Sequence, residues 1–166
     1  MSGTWDTSAL EQAEALRLTT FTSETAFELG VLIRDRIRDE FPGKGAIVDI
    51  RAAQSEQQLF FAASAEGSLP DNAHWAQRKR NAVLRWGKST ASLNLKGWGT
   101  TGIPAHYGAN NADYACHGGG FPLRVKGVES LVGVVVVSGL KQEEDHQVIV
   151  DVLTEFVAKQ DQAAAK

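Results

Sequence analysis

The chain has 166 residues, of which 43% are hydrophobic, a length that suits one well-buried core and is short for two domains. Its formal net charge of -3 argues against a general nucleic-acid binder. Cys116 is the single cysteine, which excludes an intrachain disulfide and the cysteine-rich zinc and iron–sulfur patterns. The first 25 residues lack the basic start and apolar centre of a signal peptide. No apolar run approaches the roughly 20 residues of a transmembrane helix. We therefore expect a cytoplasmic protein with no membrane or nucleic-acid partner.

The N-terminal part of the chain predicts two helices. Residues 1–22 are expected to form an extension that carries a short helix over residues 8–18. A longer helix begins near Ser23 or Thr25, where Thr25-x-x-Glu28 fits a capping box. Its apolar residues recur every four positions, as expected for one buried helix face. These residues are Leu29, Ile33, Ile37 and Phe41.

The middle of the chain predicts a β-hairpin followed by a third helix. Two short β-prone segments, residues 46–50 and 59–64, are separated by a polar cluster that turns the chain. The helix is expected over residues 71–86, with Asp71 or Asn72 as its cap and Gly87 as its C-terminal signal. Residues 89–95 fit either a strand or a short helix.

The C-terminal part predicts a second hairpin and a last helix. A long irregular segment, residues 96–116, leads into the hairpin, and loops of that length are often functional. Residues 131–137 form an apolar, β-branched run typical of a central strand that is covered on both faces. Lys126 and Gly127 supply the turn before it. Acidic residues 143–145 begin the last helix, and residues 160–166 are expected to fray.

This order of elements favours the α+β class, with an antiparallel sheet flanked by helices. We expect residues 23–159 to form a single domain.

The entrance to the second hairpin is the first candidate for a binding function. His117 is followed by Gly118, Gly119 and Gly120, and then by Phe121-Pro122. Three residues without a Cβ suggest a place where backbone or ligand comes unusually close. The alternative is an ordinary loop that needs positive φ angles.

The third helix is the second candidate, because it concentrates cations in an otherwise acidic protein. Arg78, Lys79, Arg80 and Arg85 lie on it, with Trp75 and Trp86 at helical spacing. One interpretation is a solvated face paired with acidic neighbours. The other is a carboxylate- or phosphate-binding edge, with Arg78 and Arg85 as donors and a tryptophan as an apolar wall.

Other motifs do not support a function. Residues 97–102 match G-x-G-x-x-G but lead into Ile103-Pro104 rather than into a helix, so a dinucleotide site is not expected. Cys116 and His117 are neighbours in an extended segment and point to opposite sides, which argues against a catalytic dyad. The four histidines lack metal-site spacing: His74, His106, His117 and His146.

Several stretches together resemble the GlcG/HbpS-like family, also called the haem-degrading domain family. They are the glycine triplet with Phe121-Pro122, residues 133–139, residues 69–75 with residues 78–81, and residues 48–50 with residues 59–60. In this family the chain is most similar to a branch of small uncharacterised single-domain proteins. The resemblance implies a profilin-like α+β fold, assembly into homo-oligomers and, in some relatives, haem binding.

The leading hypothesis is a small-ligand-binding protein, with haem or another anionic planar molecule as ligand. The resemblance implies that haem-binding relatives can use a histidine on an early helix, and residues 23–41 contain none, which leaves His117, His74 and His106 as iron-ligand candidates. The alternatives are a non-catalytic homo-oligomeric adaptor and, more weakly, an enzyme acting on a small carboxylated substrate. No matched acid–base pair names a reaction. The expected ligand-binding residues are His117, Gly118, Gly119, Gly120, Phe121, Asn72, Trp75, Arg78, Lys79 and Arg85.

Overall fold

The computed structural model describes residues 5–166, and within them helices and strands follow in the predicted order. The helices are α1 (Thr7–Glu14), α2 (Ser23–Glu40), α3 (Pro70–Trp86), α4 (Thr90–Leu95) and α5 (Gln142–Ala164). The strands are β1 (Ile47–Ala52), β2 (Gln58–Ala63), β3 (Gly120–Leu123) and β4 (Gly133–Ser138). A 3-10 turn, Ala105–Tyr107, interrupts the irregular segment.

The strands form one antiparallel sheet in the order β2-β1-β4-β3. Strand β4 lies inside the sheet, and all six of its residues are buried. This confirms the central strand predicted from its β-branched run. The turn at Gly127 also occurs where it was predicted, with φ +76° and a hydrogen bond from Val128 N to Val125 O of 3.1 Å.

Helices cover both faces of the sheet, which explains why β4 is apolar throughout. One face packs on α2 and α5, where Leu29, Ile33 and Ile149 are fully buried. The other face packs on α3 through Ala76 and Val83. The architecture is the predicted α+β arrangement of an antiparallel sheet flanked by helices.

Two helix starts differ from the prediction by a few residues. The N-cap of α2 is Thr22, whose side chain accepts a hydrogen bond from Thr25 N, so Thr25 lies inside the helix and no capping box starts there. Helix α3 begins at Pro70, because proline suits the first helical turn. Asn72 caps it from within, since its Oδ1 accepts a hydrogen bond from Leu69 N at 2.8 Å.

The two ends of the described chain differ from the prediction in opposite ways, since the first helix is shorter and the last helix is longer. Helix α1 ends at Glu14 rather than at residue 18, and the chain after it pairs with residues near Val125. Helix α5 continues to Ala164, where the sequence predicted a frayed tail. The tail is held because Gln160 Oε1 accepts a hydrogen bond from Thr19 N at 2.8 Å. Among the described residues, no helix is both long and apolar enough to cross a membrane.

The irregular segment 96–116 is anchored on α3. Trp98 packs edge-on against Trp86 at 5.2 Å between ring centroids, and Asn81 Nδ2 donates to Asp113 O at 2.9 Å. Residues 97–102 form hydrogen-bonded turns after α4 rather than a loop between a strand and a helix. This geometry agrees with the rejection of a dinucleotide site.

Candidate functional site

A pocket of about 520 Å³ lies where the N-terminal ends of α3 and α5 meet the end of β4. Helix α3 contributes Asn72, Trp75 and Lys79, and His117 closes one side. The basic helix and the histidine before the glycine triplet thus border one hollow, which we call the α3/α5 pocket. Its remaining lining is Asp71, Ser138, Gly139, Leu140, Lys141, Gln142, Glu143 and Asp145.

His117 presents a neutral imidazole to this pocket. Its ring stands edge-on to Trp75, with 5.4 Å between centroids and 89° between planes. Burial and the charges of Lys79 and Arg78 lower the pKa of His117. Its Nδ1 is buried without a hydrogen-bond partner, whereas the side chain as a whole borders both the α3/α5 pocket and a smaller adjoining one. His74 and His106 are exposed and border neither pocket.

A buried ion pair forms the floor of the α3/α5 pocket. Lys79 Nζ lies 3.0 Å from Asp145 Oδ2, both side chains are 3% exposed, and the ammonium also donates to Val137 O at 3.2 Å. Burial lowers the pKa of Lys79 and raises the pKa of Asp145 to about 6, although each charge favours the ionised form of the other. Burial therefore disfavours both charges, and each depends on the other as its counter-ion.

The glycine triplet makes room for the protein's own atoms rather than for a ligand. A Cβ on Gly118 would lie 2.4 Å from Gln142 O, and one on Gly119 would lie 2.4 Å from Val137 O. A Cβ on Gly120 would lie 3.0 Å from Val83 and Thr90 side chains. Close approach of backbone and side chains occurs at all three positions, and Gly119 also has the positive φ, +123°, that the alternative interpretation expected.

The two arginines expected to hold carboxylates are engaged within the chain. Arg78 donates through Nε and Nη2 to Asn111 O at 3.0 and 2.5 Å, and stacks over Trp75 at 4.5 Å. Arg85 donates to Tyr107 O and to the Tyr114 hydroxyl. Their donors pair with two carbonyls and one hydroxyl of the irregular segment, and the periodicity of α3 in the sequence could not reveal these partners.

Two further residues were expected to bind the ligand, and only one of them, Asn72, lies at the pocket. Asn72 borders the α3/α5 pocket and joins α3 to the sheet, because its Nδ2 donates to Ser138 O at 3.2 Å. Phe121 is 1% exposed and packs with the core between the sheet and helices α2 and α5, away from the pocket.

Cys116 lies in a buried cluster with Trp98, and burial raises the pKa of its thiol to about 11. No thiol–imidazole dyad forms with His117.

Sequence reasoning missed the contribution of the first turn of α5. Gln142 Oε1 accepts a hydrogen bond from Gly118 N at 3.1 Å, and Asp145 Oδ1 accepts one from Leu140 N at 3.0 Å. The acidic run 143–145 was interpreted only as favourable charge at a helix N-terminus. Asp145 is the only one of these three residues that is buried, and the sequence alone does not show which of the three would be.

The fold and pocket define a small α+β domain with a polar cleft at converging helix N-termini. The chain belongs to the family of HbpS-like haem-degrading proteins, whose family model matches residues 21–154.

Relatives of known sequence extend this assignment along most of the chain. A UPF0303 protein of Rhizobium etli is 38% identical over 149 residues, covering 90% of this chain and 87% of that protein. A UPF0303 protein of Brucella canis is 40% identical over 158 residues, covering 94% and 89%.

Solved structures share the fold. The crystal structure of Ybr137w protein superposes with a TM-score of 0.83 at 34% identity, covering 89% of this chain and 86% of that one. The crystal structure of HbpS gives a TM-score of 0.61 at 21% identity, covering 86% and 93%. The crystal structure of a PduOC:Heme complex gives a TM-score of 0.63 at 16% identity, covering 81% of this chain and 94% of that one. The last two similarities concern the fold alone.

Proposed function

We propose that the protein binds a small anionic planar molecule, with haem as the leading candidate, in the α3/α5 pocket. The observation that carries the proposal is the neutral imidazole of His117, which borders the pocket edge-on to Trp75. The family description and a relative of the same fold whose structure is a haem complex support haem as the first ligand to test.

The chemistry of the pocket suits such a ligand in three respects. The lowered pKa of His117 keeps its imidazole unprotonated, which is the form that ligates a metal. Trp75 offers an apolar wall, and Lys141 at the pocket rim offers an exposed cation for carboxylates. The His117 imidazole would hold the iron of a haem bound in this pocket. The volume lies within the usual range of roughly 300–1,000 Å³ for ligand pockets.

One feature of His117 distinguishes it from most metal-bound histidines. In such histidines the second ring nitrogen usually donates to a carboxylate or carbonyl that fixes the ring. His117 Nδ1 has no such partner, and the ring is held by Trp75 instead. Iron ligation through this residue therefore depends on aromatic packing for its orientation.

Titration of the purified protein with haemin tests this function. We expect a saturable Soret shift near one haemin per chain in the wild type and its loss in His117→Ala. His74→Ala and His106→Ala are matched controls, because both remove an exposed imidazole outside the pocket, and both should retain the shift. A shift that persists in His117→Ala, or that is absent from the wild type, would reject histidine ligation at this site.

A second candidate function is homo-oligomeric assembly, which a different surface favours. A groove of about 510 Å³ runs between α2 and α5, where Phe27 and Leu32 are 59% and 40% exposed beside Phe156. Exposed apolar clusters of this kind are typical of protein interfaces. The basic helix is a poorer interface candidate, because Arg78 and Arg85 already pair within the chain.

Light scattering after size exclusion tests assembly. We expect the wild type to run as an oligomer and Phe27→Ser/Leu32→Ser to run as a smaller species. Leu69→Ser/Val128→Ser is the matched control, since it also removes two exposed apolar side chains, from a different surface, and it should keep the oligomer. A monomeric wild type at micromolar concentration contradicts the assembly function.

A further inference from the structure

A second pocket, which we call the acidic pocket, lies on the other side of the first turns of α5. It occupies about 450 Å³ between α1, the end of α2 and α5. Its described lining contains five carboxylates and no lysine or arginine, and one of the five, Glu40, pairs with Arg36 at 3.6 Å. The carboxylates belong to Asp6, Glu40, Glu143, Glu144 and Asp151. This charge is opposite to the one expected for a site that takes an anion.

Apolar side chains complete the lining of the acidic pocket. Leu10 and Phe41 approach from α1 and the end of α2, and Val148 approaches from α5. Trp5 stands at the edge, where its indole Nε1 donates to Asn94 Oδ1 at 2.8 Å. A pocket with apolar walls and carboxylates matches a ligand that combines methylene groups with positive charge.

His146 gives this pocket a feature that an ordinary acidic surface lacks. The side chain is 4% exposed, yet it borders the pocket, and its Nδ1 has no hydrogen-bond partner. Trp5 and Phe121 flank the ring at 5.3 and 5.9 Å. A buried polar group without a partner costs free energy unless something else pairs with it. Burial lowers the pKa of His146 to about 4, so the neutral ring can accept a hydrogen bond without repelling a cation.

The spacing of the carboxylates favours an organic cation over a metal ion. In the described part of the chain, no three His, Cys, Asp or Glu side chains converge as metal ligands do. Asp6 Oδ1 accepts from Ala9 N at 3.1 Å, and Glu144 Oε2 accepts from Lys141 N at 3.0 Å, which fixes these groups at separate helix starts. Separated negative charges suit a chain that carries several ammonium groups.

We infer that the acidic pocket binds an aliphatic polyamine, with ammonium groups beside Glu144 and Asp151 and methylene groups on Leu10, Phe41 and Val148. One ammonium N–H donates to the imidazole of His146. This site adjoins the α3/α5 pocket, with which it shares Glu143, and it does not depend on haem binding.

Isothermal titration of the full-length protein with spermidine tests this site. The variant Glu144→Gln/Asp151→Asn removes two charges with nearly unchanged shape, and the glutamine oxygen retains the hydrogen bond from Lys141 N. We expect its Kd for spermidine to rise about tenfold, which corresponds to ~1.4 kcal/mol. The control Asp35→Asn/Glu129→Gln also removes two exposed charges, outside the pocket, and should leave Kd within about twofold. Equal weakening in both variants would show attraction to net charge only and would overturn the site.

Nuclear magnetic resonance of the histidine rings gives an independent readout. Added spermidine should shift the imidazole signals of His146 and leave those of exposed His106 in place. Unchanged His146 signals at millimolar spermidine would overturn the assignment, as would stoichiometric displacement of spermidine by Mg²⁺.

Discussion

Replacing Lys79 with methionine is expected to lower the free energy of unfolding by about 3–5 kcal/mol at pH 8. Lys79 and Asp145 are both 3% exposed, so solvent does not screen the charge that remains. The substitution leaves the Asp145 carboxylate buried without its cation, and methionine fills most of the lysine volume. Urea unfolding followed by circular dichroism measures the loss.

The same variant is expected to lose less stability at pH 5. Burial already raises the pKa of Asp145 to about 6 from 3.8 while Lys79 lowers it, so removal of Lys79 raises the folded-state pKa further. A carboxyl whose pKa is higher in the folded state contributes its full stability below the unfolded-state pKa, and this contribution is lost as pH rises through the folded-state pKa. The wild type loses the same contribution up to its own folded-state pKa of about 6, so the deficit of Lys79→Met relative to the wild type should grow above about pH 6. An equal deficit at pH 5 and pH 8 would contradict this account.

Two further variants isolate the buried charge as the cause. Lys79→Met/Asp145→Asn should recover most of the lost stability, because it buries no charge and the asparagine oxygen still accepts from Leu140 N. Arg36→Met breaks the more exposed pair with Glu155 and should cost less than about 1 kcal/mol. If the double variant is as unstable as Lys79→Met, lost packing rather than charge explains the effect.

Gly119→Ala is expected to destabilise the protein by about 3–5 kcal/mol, combining backbone strain with overpacking. Gly119 has φ +123°, a region that residues with a Cβ rarely adopt. Its Cβ would also lie 2.4 Å from Val137 O, a rigid backbone atom of β4, and 2.9 Å from the Cβ of Asp145. The midpoint of urea unfolding should fall accordingly.

Gly127→Ala is the matched control for Gly119→Ala. Gly127 also has a positive φ, +76°, but a Cβ there would meet nothing within 4 Å. Gly127→Ala should lower the free energy of unfolding by only about 1–2 kcal/mol, which is the strain of a positive φ at a residue with a Cβ. Equal losses at the two positions would show that the close approach beside Val137 is not what requires glycine.

The sequence predicted the fold more fully than the site, for reasons visible in particular elements. The β-branched run of β4 and the four-residue apolar repeat of α2 report burial directly, and both elements occur where expected. His117 and Trp75, two of the expected ligand-binding residues, border one pocket. The prediction for Arg78 and Arg85 is different: the sequence presents them as free donors on one face of α3, whereas in the structure both donate to groups of the same chain.

The sequence by itself determined the α+β architecture, the central strand and the family, because these depend on burial patterns and motifs that are local in the chain. Only the tertiary structure decided that Lys79 pairs with Asp145, that Arg78 binds Asn111 and that the glycines admit protein atoms. Lys79 and Asp145 are 66 positions apart, and Arg78 and Asn111 are 33 apart. The physical reason is that a polar side chain takes whichever partner long-range packing brings to it, and local periodicity carries no record of that partner.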